Sequence, residues 1–184
     1  FSPAEKITAV QHENCKDYWV ITVLQKKTDT ANQDFSDKGP GVFRIYEIKA
    51  SGIKHHIDID MNLEVGEGGY LKSSVDRNYL GLANYSFKNV LVYPFDDSTG
   101  LVDISKLKLI KSKREVYGVE FSPNSNLLYY STLGNTKQSY VYQVDYLNSL
   151  TSTIVGTFKK EKGFYAIGAL QLGIDDKIYI AKDT

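Results

Sequence analysis

Short runs in which apolar and polar residues alternate, each closed by Gly, Pro, Asn, Asp or Ser, recur along the whole chain. A period of two is the mark of half-buried β-strands, because successive side chains point to opposite faces of a sheet. The clearest unit is residues 117–132, YGVEFSPNSNLLYYST. Val119, Glu120 and Phe121 alternate, Ser122-Pro123-Asn124-Ser125-Asn126 carries turn chemistry, and Leu127 to Ser131 resumes strand-forming composition. The pattern predicts a β-hairpin here.

The unit repeats. Residues 71–83 show the same order, with Ser74 matching Ser122 at a spacing of 48 residues, and residues 170–181 show it again with a turn one residue shorter. A second marker, the tyrosine-centred strands around Tyr46, Tyr93 and Tyr142, recurs at 47 and 49 residues. Short strands at periods of roughly 40 to 50 residues are the sequence sign of propeller blades, four-stranded units that bury their faces by stacking on neighbours. The expectation is an all-β propeller of four-stranded antiparallel blades at about residues 4–62, 67–112, 116–160 and 167–184, the last incomplete. The ring is therefore expected to be partial, three blades and half of a fourth, as in a processed or excised piece that opens at Phe1 without a Met.

Within the blades, Trp19, Leu80, Leu82, Phe121 and Leu128 are expected in the core. Residues 25–41 form the longest polar insertion, ending in Gly39-Pro40-Gly41. Pro94 has no amide hydrogen, so its place is the open side of its strand or a bulge.

Composition narrows the function classes. The 184 residues are 42% hydrophobic, ample for a core, and carry 14 tyrosines. Lys plus Arg equals Asp plus Glu at 22 each, and no basic stripe is visible, which argues against nucleic acid as a partner. No apolar run approaches the roughly 18 residues of a membrane-spanning helix. The single Cys15 excludes an internal disulfide.

Four segments carry a family resemblance: Tyr18-Trp19-Val20 after Asp17, Gly69-Tyr70-Leu71-Lys72, Tyr117 to Pro123, and Gly168 to Gly173 with Lys177 to Ala181. Together they resemble the WD-repeat-like propeller domain of large secreted Bacteroidota proteins, whose distant sorting domain directs type IX secretion and gliding-motility-associated surface display. Val75 and Asp76-Arg77 stand where that family has Pro and Asp-Gly. The resemblance implies a non-enzymatic extracellular or cell-surface module that binds a protein or glycan and packs against the remaining blades of the same polypeptide. A second resemblance, of residues 80–85, 89–93 and 96–100 to sugar-lactone-hydrolysing propellers, implies a lactone hydrolase instead, but those positions are strand and turn and transfer no catalytic residue.

Candidate chemistry is sparse. His56, Asp58 and Asp60 share one strand face at a spacing suited to metal, yet Ile57, Ile59 and Met61 opposite them describe an outermost strand with its polar side in water. Asp96-Asp97-Ser98-Thr99-Gly100 lacks the spaced ligands of a calcium loop and reads as a hairpin turn. Cys15 has no evident base, and Gly66-Glu67-Gly68-Gly69 precedes no helix and reads as a connector between blades. No catalytic residue, metal site or cofactor is expected. The binding residues expected are Tyr70, Tyr117, Phe164 and Tyr165 on the connectors, and Lys72, Glu120 and Gln171, which occupy one register of successive innermost strands and should meet at the channel.

Overall fold

The computed structural model describes residues 2–26, 39–133, 138–159 and 167–182. Its elements follow the alternation. β1 (Ser2–Gln11), β2 (Tyr18–Gln25), β3 (Gly39–Lys49) and β4 (Gly52–Val65) form one antiparallel sheet in sequence order. β5 (Leu71–Ser73), β6 (Tyr79–Asn84) and β7 (Asn89–Asp96) form the second, with two outer strands sharing β7: β8 (Leu101–Val102) beside residues 95–96 and β9 (Lys108–Lys111) beside residues 89–92. β10 (Glu115–Phe121), β11 (Leu128–Leu133), β12 (Gln138–Val144) and β13 (Ser152–Lys159) make the third sheet, and β14 (Ile167–Leu172) with β15 (Ile178–Lys182) a two-stranded fourth. The fold is a β-propeller, and its helical content among the described residues is two short 3-10 turns at Tyr85–Phe87 and Ile104–Lys106.

Period two sorts each blade's side chains between two seams. In β6 and β7, Leu80, Leu82, Leu91 and Tyr93 turn to the first sheet, where they pack with Trp19, Ile21, Phe43 and Ile45. Ala83, Val90 and Val92 turn the other way and pack with Val119, Phe121, Leu128 and Tyr130 of the third sheet. A smaller seam of Val141, Ile167 and Leu170 joins the third sheet to the fourth. All five expected core residues, Trp19, Leu80, Leu82, Phe121 and Leu128, are buried in the first two seams. Fully burying such a side chain contributes roughly 1.5 to 3 kcal/mol, so the stacked seams supply the main stabilisation.

Two details extend the sequence reading. The fourth strand is longer than the expected stretch ending at Met61, running on to Val65 past a left-handed Asn62 (φ 55°). Pro94 lies where the outer partner of β7 changes from β9 to β8, and its carbonyl accepts the Asp103 amide at 3.0 Å. A residue without an amide hydrogen suits that gap in the ladder.

Candidate functional site

The innermost strands of the four sheets, β1, β5, β10 and β14, lie side by side and carry the candidate site. Each ends in the same kind of turn. The amides of His12, Ser74, Ser122 and Gly173 bond to the carbonyls of Asp17, Tyr79, Leu127 and Lys177, while those of Cys15, Arg77, Ser125 and Asp176 bond back to the turn's first residue. Those last four residues all have left-handed φ, from 57° to 66°. Short polar side chains close the loops: Ser74 Oγ donates to Asp76 Oδ1 and accepts from the Tyr79 amide, as Ser122 Oγ does with Asn124 and Leu127. Cys15 is thus a turn residue, exposed, with its thiol 3.5 Å from the Glu13 carbonyl.

The turns set the register of the strands before them. Lys72 pairs with Gly81, Glu120 with Tyr129 and Gln171 with Tyr179, so the three polar side chains leave successive inner strands at one level. They converge. Lys72 Nζ donates to Gln171 Oε1 at 2.6 Å and sits 3.4 Å from Glu120 Oε2. Glu120, buried, accepts the Phe121 amide on Oε1 and the Leu172 amide on Oε2, both at 3.0 Å. One carboxylate thereby bridges two blades while the lysine from a third reaches across both. The first blade breaks the pattern: the matching position is Val10, paired with Trp19 and buried in the first seam.

Beside this cluster opens a cleft of about 440 Å³, lined by residues 8–11 of β1, residues 72–75, Arg77, Glu120, Gln171 and Leu172. Its charged lining is two cations, Lys72 and Arg77, against one carboxylate. Arg77 is also paired with Asp97 at 3.2 Å. Both oxygens of Glu120 accept backbone amides, and the lining adds the hydroxyls of Thr8, Ser73 and Ser74. Arg77 and residues 8–11 escaped the sequence reading; Arg77 occupies the left-handed position of its turn, φ 66°.

The aromatic candidates lie elsewhere. Tyr70 and Tyr117 form an edge-to-face pair, ring centroids 5.4 Å apart, and the Tyr70 amide bonds to the Tyr117 carbonyl at 3.0 Å. Neither lines the cleft, and their contact packs two blades together. Phe164 and Tyr165 lie outside the described residues, as does most of the 25–41 insertion.

A polar site that sequence reasoning missed sits at the first connector. Lys6 is fully buried, and its Nζ donates to the carbonyls of Gly66 at 2.7 Å, Glu67 at 2.8 Å and Gly68 at 2.8 Å. Gln25 Nε2 bonds to the Val65 carbonyl and Asn84 Nδ2 to that of Glu64, so five consecutive carbonyls meet side-chain donors. Burial pushes the Lys6 ammonium down to about 7, opposed by Glu5 and Glu67. A lysine two and four residues before the inward-facing Thr8 and Val10 was the available clue.

The remaining candidates resolve structurally. Asp58 takes a bidentate contact from Arg44, at 2.8 and 2.6 Å, which holds its carboxyl down at about 2; His55 lies 3.0 Å from it. Asp60 pairs with Lys26 at 2.6 Å, and His56 turns away to the Thr99 carbonyl at 2.9 Å. The three residues do not meet. Among the described residues no group of three or more His, Cys, Asp or Glu is placed to hold a metal ion. Asp96 Oδ1 accepts from the Ser98 amide and hydroxyl and the Thr99 amide, closing a hairpin turn. Among the described residues no helix is long and apolar enough to cross a membrane.

No family model matches the sequence, and no curated protein matches it. Solved structures do. The chain is similar to a 6-phosphogluconolactonase candidate from Bacteroides fragilis, with TM-score 0.57 and 15% identity over 95% of this chain and 49% of that one. It is similar to a protein from Lactobacillus plantarum, with TM-score 0.57 and 17% identity over 92% of this chain and 46% of that one. It also resembles the periplasmic gluconolactonase of Pseudomonas aeruginosa, with TM-score 0.50 and 14% identity over 95% and 64%. The chain spans about half the length of the first two. At these identities the likeness is one of fold.

Proposed function

We propose that this chain is part of a non-enzymatic propeller module that binds a protein or glycan in the cleft beside its inner strands, within a larger secreted or surface-displayed protein. The observation that carries the reading is the meeting of Lys72, Glu120 and Gln171 from three blades on the wall of an open, donor-rich cleft. Lys72, Glu120 and Gln171 stand on strands, which hold them rigidly and suit recognition. The extracellular or outer-surface location rests on the sequence resemblance to secreted propellers, and surface proteolysis of intact cells producing the full-length protein tests it. Calorimetric titration of the full-length protein with glycan and peptide panels, beside its Lys72→Met variant, tests the cleft. Binding at least tenfold weaker in the variant is expected; equal binding by both proteins overturns the assignment.

A second reading is a lactone hydrolase, favoured by the names of two structural neighbours. It predicts hydrolysis of gluconolactone above the buffer rate that drops in Lys72→Met. The engaged state of Glu120 speaks for binding instead.

A further inference from the structure

The sequence contains a single Asn-X-Ser/Thr triplet with X other than Pro, Asn84-Tyr85-Ser86. Such a triplet is the acceptor for Asn-linked glycosylation, and where it carries a glycan it stands on an exposed loop. Here it is sealed. Asn84 is the last residue of β6 and is 1% exposed. Its Oδ1 accepts the Gly66 amide at 3.0 Å and its Nδ2 donates to the Glu64 carbonyl at 3.1 Å, so one carboxamide fastens the connector between the first two blades to β6. The connector lies close over the triplet and the residue before it. A Cβ on Gly66 would overlap the Ser86 hydroxyl, one on Gly68 would meet the Tyr85 Cβ at 3.5 Å, and one on Gly69 would overlap the Ala83 carbonyl. From the first blade, Lys6 ties down the same connector through the carbonyls of Gly66, Glu67 and Gly68.

Glycosylation would transfer a sugar from a lipid-pyrophosphate donor to Nδ2, forming a bond from the sugar C1 to nitrogen in place of one N–H while the lipid pyrophosphate leaves. The product amide keeps its oxygen and one hydrogen, so the obstacle is space rather than a lost hydrogen bond. A buried nitrogen with connector backbone against it has no room for a hydrated sugar. The folded chain cannot take the group, and a chain that took it before folding cannot close the joint between its first two blades. We infer that Asn84 is bare in the native protein, and that the chain folds without presenting this triplet, while unfolded, to Asn-linked glycosylation. An extracellular or surface location is then reached by a secretion route that leaves nascent chains unglycosylated. The inference concerns that route, and it stands whatever ligand the cleft takes.

The test compares the full-length protein with its Ser86→Ala variant, each made in a bacterial host and in a eukaryotic secretory host. Ser86→Ala destroys the acceptor triplet while removing one oxygen atom from the fold. Peptide mapping after enzymatic glycan release in heavy-oxygen water, which converts a formerly glycosylated Asn to labelled Asp, reads the occupancy of Asn84. Secreted yields are read relative to the bacterial yields of the same two proteins, which cancels any effect of the substitution on folding itself. In the secretory host the native sequence is expected to be retained with Asn84 glycosylated and to be secreted about fivefold less than Ser86→Ala, the secreted fraction carrying a bare Asn84. Folded, secreted protein with a glycan on Asn84 overturns the inference. Equal relative secretion of the two proteins overturns it as well, because the route it excludes would then deliver the native chain.

Discussion

Two buried side chains frame the energetics at the scale of single residues. Tyr93 is fully buried with its hydroxyl lacking a partner among the described residues, and burial raises its pKa. Tyr93→Phe removes an unpaired polar atom and keeps the edge-to-face contact with Phe43, so it should stabilise the protein by about 1 kcal/mol, read as a higher chemical-denaturation midpoint. Lys6 is the opposite case, since its three donors all have acceptors. Lys6→Met strands the buried Gly66 carbonyl, while those of Glu67 and Gly68 keep the Glu5 and Tyr85 amides at 3.1 and 3.4 Å, and should cost about 2 kcal/mol. The pH dependence follows from the pKa of about 7, below the 10.5 of an unperturbed lysine. Between those values the unfolded chain binds more protons, so this group's contribution to stability grows as pH rises from about 7 to about 10.5 and is lost as pH falls back through that window. Denaturation midpoints measured across the window should show that slope in the native protein and a shallower one in Lys6→Met.

Among the elements, the docking of β14–β15 on the third sheet depends on backbone closeness. A Cβ on Gly118 would come within 2.8 Å of the Gly168 carbonyl and 2.9 Å of the Leu170 amide. Ser131 Oγ fills the same contact, accepting from the Gly118 amide at 2.9 Å and donating to the Gly168 carbonyl at 2.6 Å. Gly118→Ala should therefore loosen the fourth sheet without unfolding the third. Hydrogen exchange should show amides in residues 167–182 losing protection while those of β11 and β12 keep it; uniform loss, or none, would contradict this picture. Trp19 shows the same dependence between the first two sheets. Its indole donates to the Asp97 carbonyl at 2.8 Å, and its ring lies where a Cβ on Gly100 would come within 2.9 Å.

For the whole molecule, the seams are unequal. Two large apolar seams join the first three sheets, whereas the third and fourth share a small one. Among the described residues β15 pairs only with β14, Tyr179 is half exposed and Ile174 fully so. An unpaired strand edge beside exposed apolar side chains is a template for association. These 184 residues alone are expected to self-associate in sedimentation velocity at micromolar concentration, and a monodisperse monomer would contradict the expectation.

The blade pattern was legible in the sequence because each hairpin is a local object. Alternation places Leu80, Leu82, Phe121 and Leu128 on buried faces whatever the neighbouring blade, and the turn residues set the register within each pair of strands. The meeting of Lys72, Glu120 and Gln171 was legible for the same reason, since equal registers on equal strands place side chains at equal heights. What depended on contacts between blades was not legible. Period two could not say that Lys6 would find three carbonyls some 60 residues away, because those acceptors belong to backbone whose path is set by packing. Nor could it say that Tyr70 and Tyr117 would face each other without lining the cleft. Repetition determined the blades, and the stacking of one blade on the next decided where the chain presents a site.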